Sequence, residues 1–249
     1  MNIIEGRRLA VGYGPVRVLE DLEFHVPRGK VTVVAGMSGS GKSTLLKTLA
    51  GLMPPLEGEV IFAGSPVDFS SESSLRSLYL KIGVLYQDGA LLNNLNLFEN
   101  VALPIRMQYP GMPEDIIREL VQTRLGQVGL EGNEAKWPAQ LSGGMRKRGA
   151  LARALVLDPD VVLCDEPSGG LDPITSAHLD DLLDSVKATF GTTLVIVTHE
   201  LRSIERLADH ILVLERGGLY YAGEFSPLVS SADEFIRTFF LRKECRNDP

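Results

Sequence analysis

Gly36-Met37-Ser38-Gly39-Ser40-Gly41-Lys42-Ser43-Thr44 lies between Lys30-Val31-Thr32-Val33-Val34-Ala35 and Leu45-Leu46-Lys47-Thr48-Leu49-Ala50. The first flank is short and β-branched, as a buried strand is, and the second has helical spacing. A loop in that position wraps a polyanion when its backbone N–H groups turn inward, which requires glycines free to take φ > 0. Gly36, Gly39 and Gly41 supply that freedom, and Lys42 has the reach and charge for terminal phosphates. Ser43 offers a hydroxyl to Mg²⁺, and the helix that starts there aims its positive end at the anion. The reading assigns Gly36, Met37, Ser38, Gly39, Ser40, Gly41, Lys42, Ser43 and Thr44 to nucleotide binding.

A second stretch, Val161-Val162-Leu163-Cys164-Asp165-Glu166, ends four apolar residues on two carboxylates. Both fall at the C-terminal tip of an expected core strand, where open α/β sheets bind ligands. Asp165 is expected to hold Mg²⁺, and Glu166, one residue further out, to polarise an attacking water.

Length and composition bound the rest. A chain of 249 residues can bury a full core as one α/β unit. With 32 acidic and 25 basic residues the net charge is −7, which argues against a nucleic-acid partner. Its two cysteines, Cys164 in an expected buried strand and Cys245 near the C-terminus, imply no disulfide framework and favour a reducing compartment. Met1–Arg8 lacks the apolar stretch of a signal peptide. No run reaches the roughly 18–20 apolar residues that span a bilayer, so any membrane role is expected to come from a partner.

Along the chain, residues 3–35 alternate strand-like runs with turns at Tyr13-Gly14-Pro15 and Pro27-Arg28-Gly29, an expected antiparallel β layer. Pro54-Pro55 is read as ending the first helix, Gly58–Phe62 as a strand of that layer, Ser73–Lys81 as a helix and Ile82–Tyr86 as a strand. From Asp88 to Ala154 the periodicity is helical, with Pro113 near a helix start and Trp137-Pro138 in a loop. Strand and helix alternate again at Val161–Cys164, Pro173–Phe190, Thr193–Val197, Leu201–Ala208 and Ile211–Leu214. A parallel-sheet core interrupted by a helical insertion follows.

Leu141-Ser142-Gly143-Gly144-Met145 precedes a helix read as Met145–Leu157, whose N-terminus makes a second anion site. This motif, with the phosphate loop and Asp165-Glu166, resembles the ATP-binding-cassette (ABC) ATPases over nearly the whole chain. The resemblance implies an α/β phosphate-loop fold with a RecA-like parallel core, an antiparallel β subdomain and an inserted helical subdomain. Core and β subdomain would cover about 1–87 and 155–225, the helical subdomain about 88–154, a C-terminal helix about 232–242, and a tail 243–249.

ATP and Mg²⁺ are the implied cofactors. Two copies would pair head to tail, with Ser142, Gly143 and Gly144 of each completing the phosphate site of the other. Gln87, after the strand Ile82–Tyr86, resembles the family's switch glutamine near the metal and γ-phosphate; His199 resembles its switch histidine. Tyr13 stands where the family stacks a ring on adenine, although in a Gly-Tyr-Gly-Pro turn it can also simply cover the β layer. Ser168–Asp172 resembles the loop that crosses between subunits. His25, His178 and His210 receive no role, and Arg146-Lys147-Arg148 is read as a solvated helix face.

Within the family, Gly83–Leu92 and Asn100-Val101-Ala102-Leu103-Pro104 resemble the ATPase subunits of Mla/MCE-type lipid transport systems, with Asp88 and Leu92 departing from the usual Ser and Phe. Asp165-Glu166-Pro167, Gly170–Ile174 and a C-terminal helix Asp233–Leu241 point the same way. That implies a membrane permease as partner, an MCE-domain lipid-binding protein, and a place on the cytoplasmic face of the inner membrane. ATPases of lipoprotein-release or amino-acid-import systems would share every catalytic residue. Two readings stand for Ala90–Phe98: buried core of the insertion, or the edge of a permease-receiving groove.

Overall fold

The computed structural model describes residues 1–229 together with Asp233 and Ile236. The expected C-terminal helix is otherwise outside the described residues, as are the tail and Cys245. In chain order the elements are β1 (Asn2–Tyr13), β2 (Val16–Pro27), β3 (Val31–Gly36), α1 (Lys42–Leu49), β4 (Glu57–Phe62), β5 (Ser65–Pro66), α2 (Glu72–Tyr79) and β6 (Ile82–Leu85). Then come α3 (Leu97–Gln108), α4 (Glu114–Gln127), α5 (Gly143–Leu155), β7 (Val161–Asp165), α6 (Pro173–Phe190), β8 (Thr193–Val197), α7 (Leu201–Leu207), β9 (His210–Glu215), β10 (Gly218–Glu224) and α8 (Phe225–Val229).

Two sheets form. One is antiparallel, in the order β2-β1-β4-β5; the other runs β10-β9-β3-β8-β7-β6. Strands β9, β3, β8, β7 and β6 are parallel, and β10 closes one edge antiparallel to β9. The sequence reading assigns no strand there: the run Leu219–Ala222 in Gly218–Glu224 (GLYYAGE) is short, half tyrosine and flanked by glycines. β10 is half exposed, so its pattern differs from that of the doubly buried strands beside it.

Inside the parallel sheet, alternate residues feed two cores. Val33, Ala35, Val162, Cys164, Leu194 and Ile196 face one core, and Val34, Val161, Leu163, Val195 and Val197 the other. The first core includes α3, α4, α5, α6 and α7; the second includes α1, α2 and the antiparallel sheet. Helices α1 and α5 therefore lie on opposite faces of the same sheet. Helix α5 comes very close to β6: a Cβ at Gly83 would stand 2.3 Å from the Ala154 carbonyl oxygen, so glycine is required there.

Several boundaries differ from expectation by a residue or two, and two of the shifts have a clear local cause. Helix α1 stops at Leu49, before Pro54-Pro55, because Gly51 takes φ 74°, its N–H bonds to Thr48 O, and Leu52 N–H bonds to Lys47 O. This double bond around a left-handed glycine is a stop signal that acts before the prolines are reached. Helix α5 begins at Gly143 rather than Met145, since Ser142 is its N-cap and accepts from Met145 N–H at 3.2 Å.

Candidate functional site

Four neighbouring parallel strands end on one edge of the sheet, and each exit carries an expected site residue: the phosphate loop after β3, Gln87 after β6, Asp165 and Glu166 at the tip of β7, and His199 after β8. The sheet register thus gathers residues that lie up to 163 positions apart in the chain.

In the phosphate loop, Met37, Ser38 and Gly39 are exposed, with Gly39 at φ 79° and Gly41 at φ 95°. A Cβ at Gly41 would strike the Leu19 side chain at 2.7 Å, so both backbone and space demand glycine. Lys42 is 8% exposed, and its Nζ lies 2.9 Å from both Gly36 O and Met37 O. The ammonium thus sits folded against the loop, within the cradle that a phosphate would fill. Ser40 Oγ is buried without a hydrogen-bond partner, and Thr44 is buried beneath the loop.

Ser43 Oγ donates to Asp165 Oδ1 at 3.3 Å, bringing two hard oxygen donors together at the mouth of the loop. Burial raises the Asp165 pKa, Glu166 beside it raises it further, and Ser43 partly offsets the shift. A carboxylate and a hydroxyl oxygen beside a phosphate cradle fit Mg²⁺, which pairs one carboxylate with phosphate oxygens rather than needing a full protein cage.

Glu166 adopts φ 46°, the left-handed region that non-glycine residues avoid. Its N–H donates to Val197 O at 2.8 Å, which fixes the turn against β8. The carboxylate is thereby swung to the next strand exit, where Oε1 lies 2.6 Å from His199 Nδ1 and Oε2 accepts from Thr198 Oγ1 at 3.3 Å. Glutamate and histidine, read separately from the sequence, form one hydrogen-bonded pair. The histidine imidazole is half exposed, and its Nε2 lies 3.6 Å from Glu200 Oε1.

Tyr13, at the end of β1, is 51% exposed; its hydroxyl accepts from Lys47 Nζ at 3.2 Å, and the ammonium lies 5.7 Å from the ring centre. Hydrogen bonds with Thr44 and then Lys47 lower the phenol's pKa. A half-open ring beside the phosphate loop has the form of a stacking platform for a base. Gln87 is exposed and makes no side-chain hydrogen bond to the phosphate loop among the described residues.

Ser142, Gly143 and Gly144 lie on the other face of the sheet from the phosphate-loop helix, with Gly143 beside Leu171 and Gly144 beside Thr175. They open α5, which packs on β6, α3, α4 and α6, across the sheet from α1. Ser142 Oγ is an acceptor in its cap bond, and its O–H remains able to donate to an anion.

The reading of Arg146-Lys147-Arg148 as a solvated face does not hold. Lys147 is 5% exposed, and its Nζ donates to Gly169 O at 2.5 Å and Glu166 O at 3.4 Å. Arg148 donates to Val128 O and Gly129 O. Only Arg146 is exposed. Arg153, further along α5, donates to Gly89 O and Ala90 O just after Gln87. A signal was present: Gly143, Lys147, Ala150 and Ala154 fall on one helical stripe.

The segment Ala90–Phe98 divides between its two readings. Leu97 is fully buried, Leu91 and Phe98 pack on the core, Leu95 is half buried, and Leu92 is 44% exposed. Buried Asn100 pins the loop by accepting from Leu92 N–H at 2.7 Å and donating to Leu95 O at 3.0 Å.

A glycine cradle on a parallel strand tip, a paired Ser43 and Asp165, and a Glu166–His199 couple on adjoining exits define a phosphate-loop nucleotide-hydrolysing cassette. Residues 19–169 match the family model described as ABC transporter. The chain is 41% identical over 236 residues to the probable ribonucleotide transport ATP-binding protein mkl of Mycobacterium tuberculosis, covering 95% of this chain and 66% of that protein. It is 35% identical over 238 residues to the intermembrane phospholipid transport system ATP-binding protein MlaF of Escherichia coli K12, covering 96% and 88%. Among solved structures, a dimeric ATP-binding cassette in a post-hydrolysis state with ADP and Pi superposes with a TM-score of 0.81 at 29% identity, covering 89% of this chain and 98% of that one. The chain belongs to the ABC transporter family, and it is an ATP-binding, ATP-hydrolysing cassette of that family. It spans about two thirds of the length of its mycobacterial relatives. Among the described residues no helix is long and apolar enough to cross a membrane.

Proposed function

We propose that this chain is the motor subunit of a lipid transporter of the Mla/MCE type. Two copies pair head to tail on ATP and drive an integral-membrane permease at the cytoplasmic face of the inner membrane, with an MCE-domain protein as lipid-binding partner. The observation that carries the paired site is the placement of Ser142–Gly144 and the phosphate-loop helix on opposite faces of one sheet. A second copy must bring the signature to the nucleotide. The ADP- and Pi-bound neighbour is likewise a dimer.

In this reading Gly36–Thr44 wraps the phosphates and Lys42 leaves the loop carbonyls for the terminal phosphates. Ser43, Asp165 and Gln87 would hold Mg²⁺, which when bound would supply positive charge to the phosphate oxygens. Tyr13 stacks on adenine. Glu166 accepts a proton from, or orients, the attacking water. His199, its Nδ1 turned to Glu166, presents the rest of the ring to the terminal phosphate. Ser142, Gly143 and Gly144 of the partner subunit close the site through backbone N–H groups at a helix start.

Lipid as cargo rests on Gly83–Leu92 and on the likeness to MlaF, while the name of mkl points to ribonucleotides. Reconstituting the chain with its permease and MCE partner in vesicles decides between them. ATP-driven movement of a fluorescent phospholipid supports the proposal. Turnover stimulated by a ribonucleotide or an amino acid, with no lipid movement, overturns it.

A further inference from the structure

Helix α6 buries a carboxylate among its apolar residues. Asp180 is 4% exposed, on the stripe that carries Leu179, Leu183 and Val186. A charge there costs free energy unless its oxygens are satisfied, and burial raises its pKa accordingly. Two serines satisfy it. Ser168 Oγ donates to Oδ1 at 2.8 Å and Ser203 Oγ to Oδ2 at 2.7 Å, and both serines are themselves 4% exposed.

The two donors come from different segments, Ser168 from the loop after β7 and Ser203 from the helix after β8. Ser168 lies two residues after Glu166, and Ser203 lies four residues after His199 on α7. Above them, Glu166 Oε1 and His199 Nδ1 are 2.6 Å apart. The exits of β7 and β8 are joined at the surface by Glu166 N–H to Val197 O and by the Glu166 carboxylate to Thr198 Oγ1 and His199 Nδ1, and deeper down by a buried bridge through one carboxylate. The Val197 bond fixes the backbone of Glu166, whereas the half-exposed His199 side chain is only as well placed as the segment that carries it.

We infer that Asp180 is a positioning residue for hydrolysis, setting the separation of the loops that bear Glu166 and His199. It touches neither nucleotide nor water and acts through Ser168 and Ser203. The inference rests on the roles given above to Glu166 and His199.

Asp180→Leu removes both acceptors, whereas Asp180→Asn keeps the bridge, its amide oxygen accepting from one serine and its NH₂ donating to the other. In the full-length protein, Asp180→Leu should lower kcat at least tenfold with KM for ATP and affinity for a fluorescent ATP analogue within twofold. Asp180→Asn should stay within threefold of wild type, and the Ser168→Ala/Ser203→Ala double variant should reproduce the loss. Added to His199→Ala, Asp180→Leu should reduce the residual single-turnover rate less than twofold, because the spacing has then lost its purpose.

A kcat within twofold of wild type for Asp180→Leu overturns the inference, as does an undiminished effect of that variant in the His199→Ala background. If Asp180→Leu does not fold, the serine double variant decides alone, by the same tenfold criterion. Glu166→Gln run alongside separates the failures: rapid turnover there refutes the site assignment, and its loss combined with an active Asp180→Leu refutes only the positioning role.

Discussion

Lys147→Met tests whether the signature helix holds the catalytic loop. Methionine keeps the length and apolar stem of lysine and removes the ammonium. The bond to Gly169 O, at 2.5 Å, is charge-assisted, and the 3.4 Å contact to Glu166 O adds little. A hydrogen bond from a charged donor contributes about 1.5–3 kcal/mol. Burial opposes it by lowering the lysine pKa, so the ammonium recovers only part of its lost hydration. The balance is a net stabilisation of about 1–2 kcal/mol, which at this chain length corresponds to a fall in Tm of about 2–8 °C. If the same energy orders Glu166 in the transition state, turnover should fall about 5–30-fold. Differential scanning calorimetry and steady-state ATPase on one preparation read both numbers, and Lys147→Arg, which keeps a donor, should recover most of the rate. A Tm loss with unchanged kcat would show that the tether is scaffold only. No change in either would refute the energetic reasoning.

Glu166→Gln should abolish turnover while ATP stays bound, so the variant accumulates as an ATP-held dimer on size exclusion; turnover within a few-fold of wild type removes Glu166 from its role. Ser142→Arg and Lys42→Ala chains should each be inactive alone and recover partial activity when mixed, because one composite site is then intact. Failure to recover, with heterodimers confirmed, contradicts a site built between subunits. Leu95→Asp, on the loop pinned by Asn100, should weaken copurification with the permease while the isolated chain still hydrolyses ATP; unfolding, or full permease binding, ends the groove reading. His210 is buried against the His25 ring at 4.9 Å, and burial, then His25, lowers its pKa from 6.5 to about 4. The unfolded chain protonates first, so stability is complete above pH about 6.5 and declines towards pH 4, by at most about 3 kcal/mol. Urea titrations of His210→Phe should show a flatter decline across that window, and parallel curves would exclude His210 as the cause.

The catalytic edge is legible in the sequence because its residues directly follow short apolar runs: Asp165 after Val161–Cys164, His199 just after Thr193–Val197, the glycine loop after β3. A strand that ends on a polar residue states its own tip. Asp180 and Lys147 are not legible in that way, since a charged residue inside a helix reads as solvated until its stripe is compared with the apolar ones beside it. The Glu166–His199 pairing is hidden for a different reason. It depends on β7 and β8 being neighbours, a fact of sheet order that no local pattern carries. Gly51 shows the converse case, where a local signal was present but a louder one, Pro54-Pro55, lay three residues on.

Helix α5 holds its surroundings through main-chain oxygens: Lys147 grips residues 166 and 169, Arg148 residues 128 and 129, and Arg153 residues 89 and 90. Every residue type carries the same carbonyl, so these attachments do not depend on which side chains the gripped loops display. The held positions themselves are constrained, Gly89 and Gly129 by φ of 76° and 65°, so the freedom lies in the residues around them. The linkage thus leaves exposed positions such as Asp88 and Leu92 free to change while the helix keeps its hold on the main chain between them.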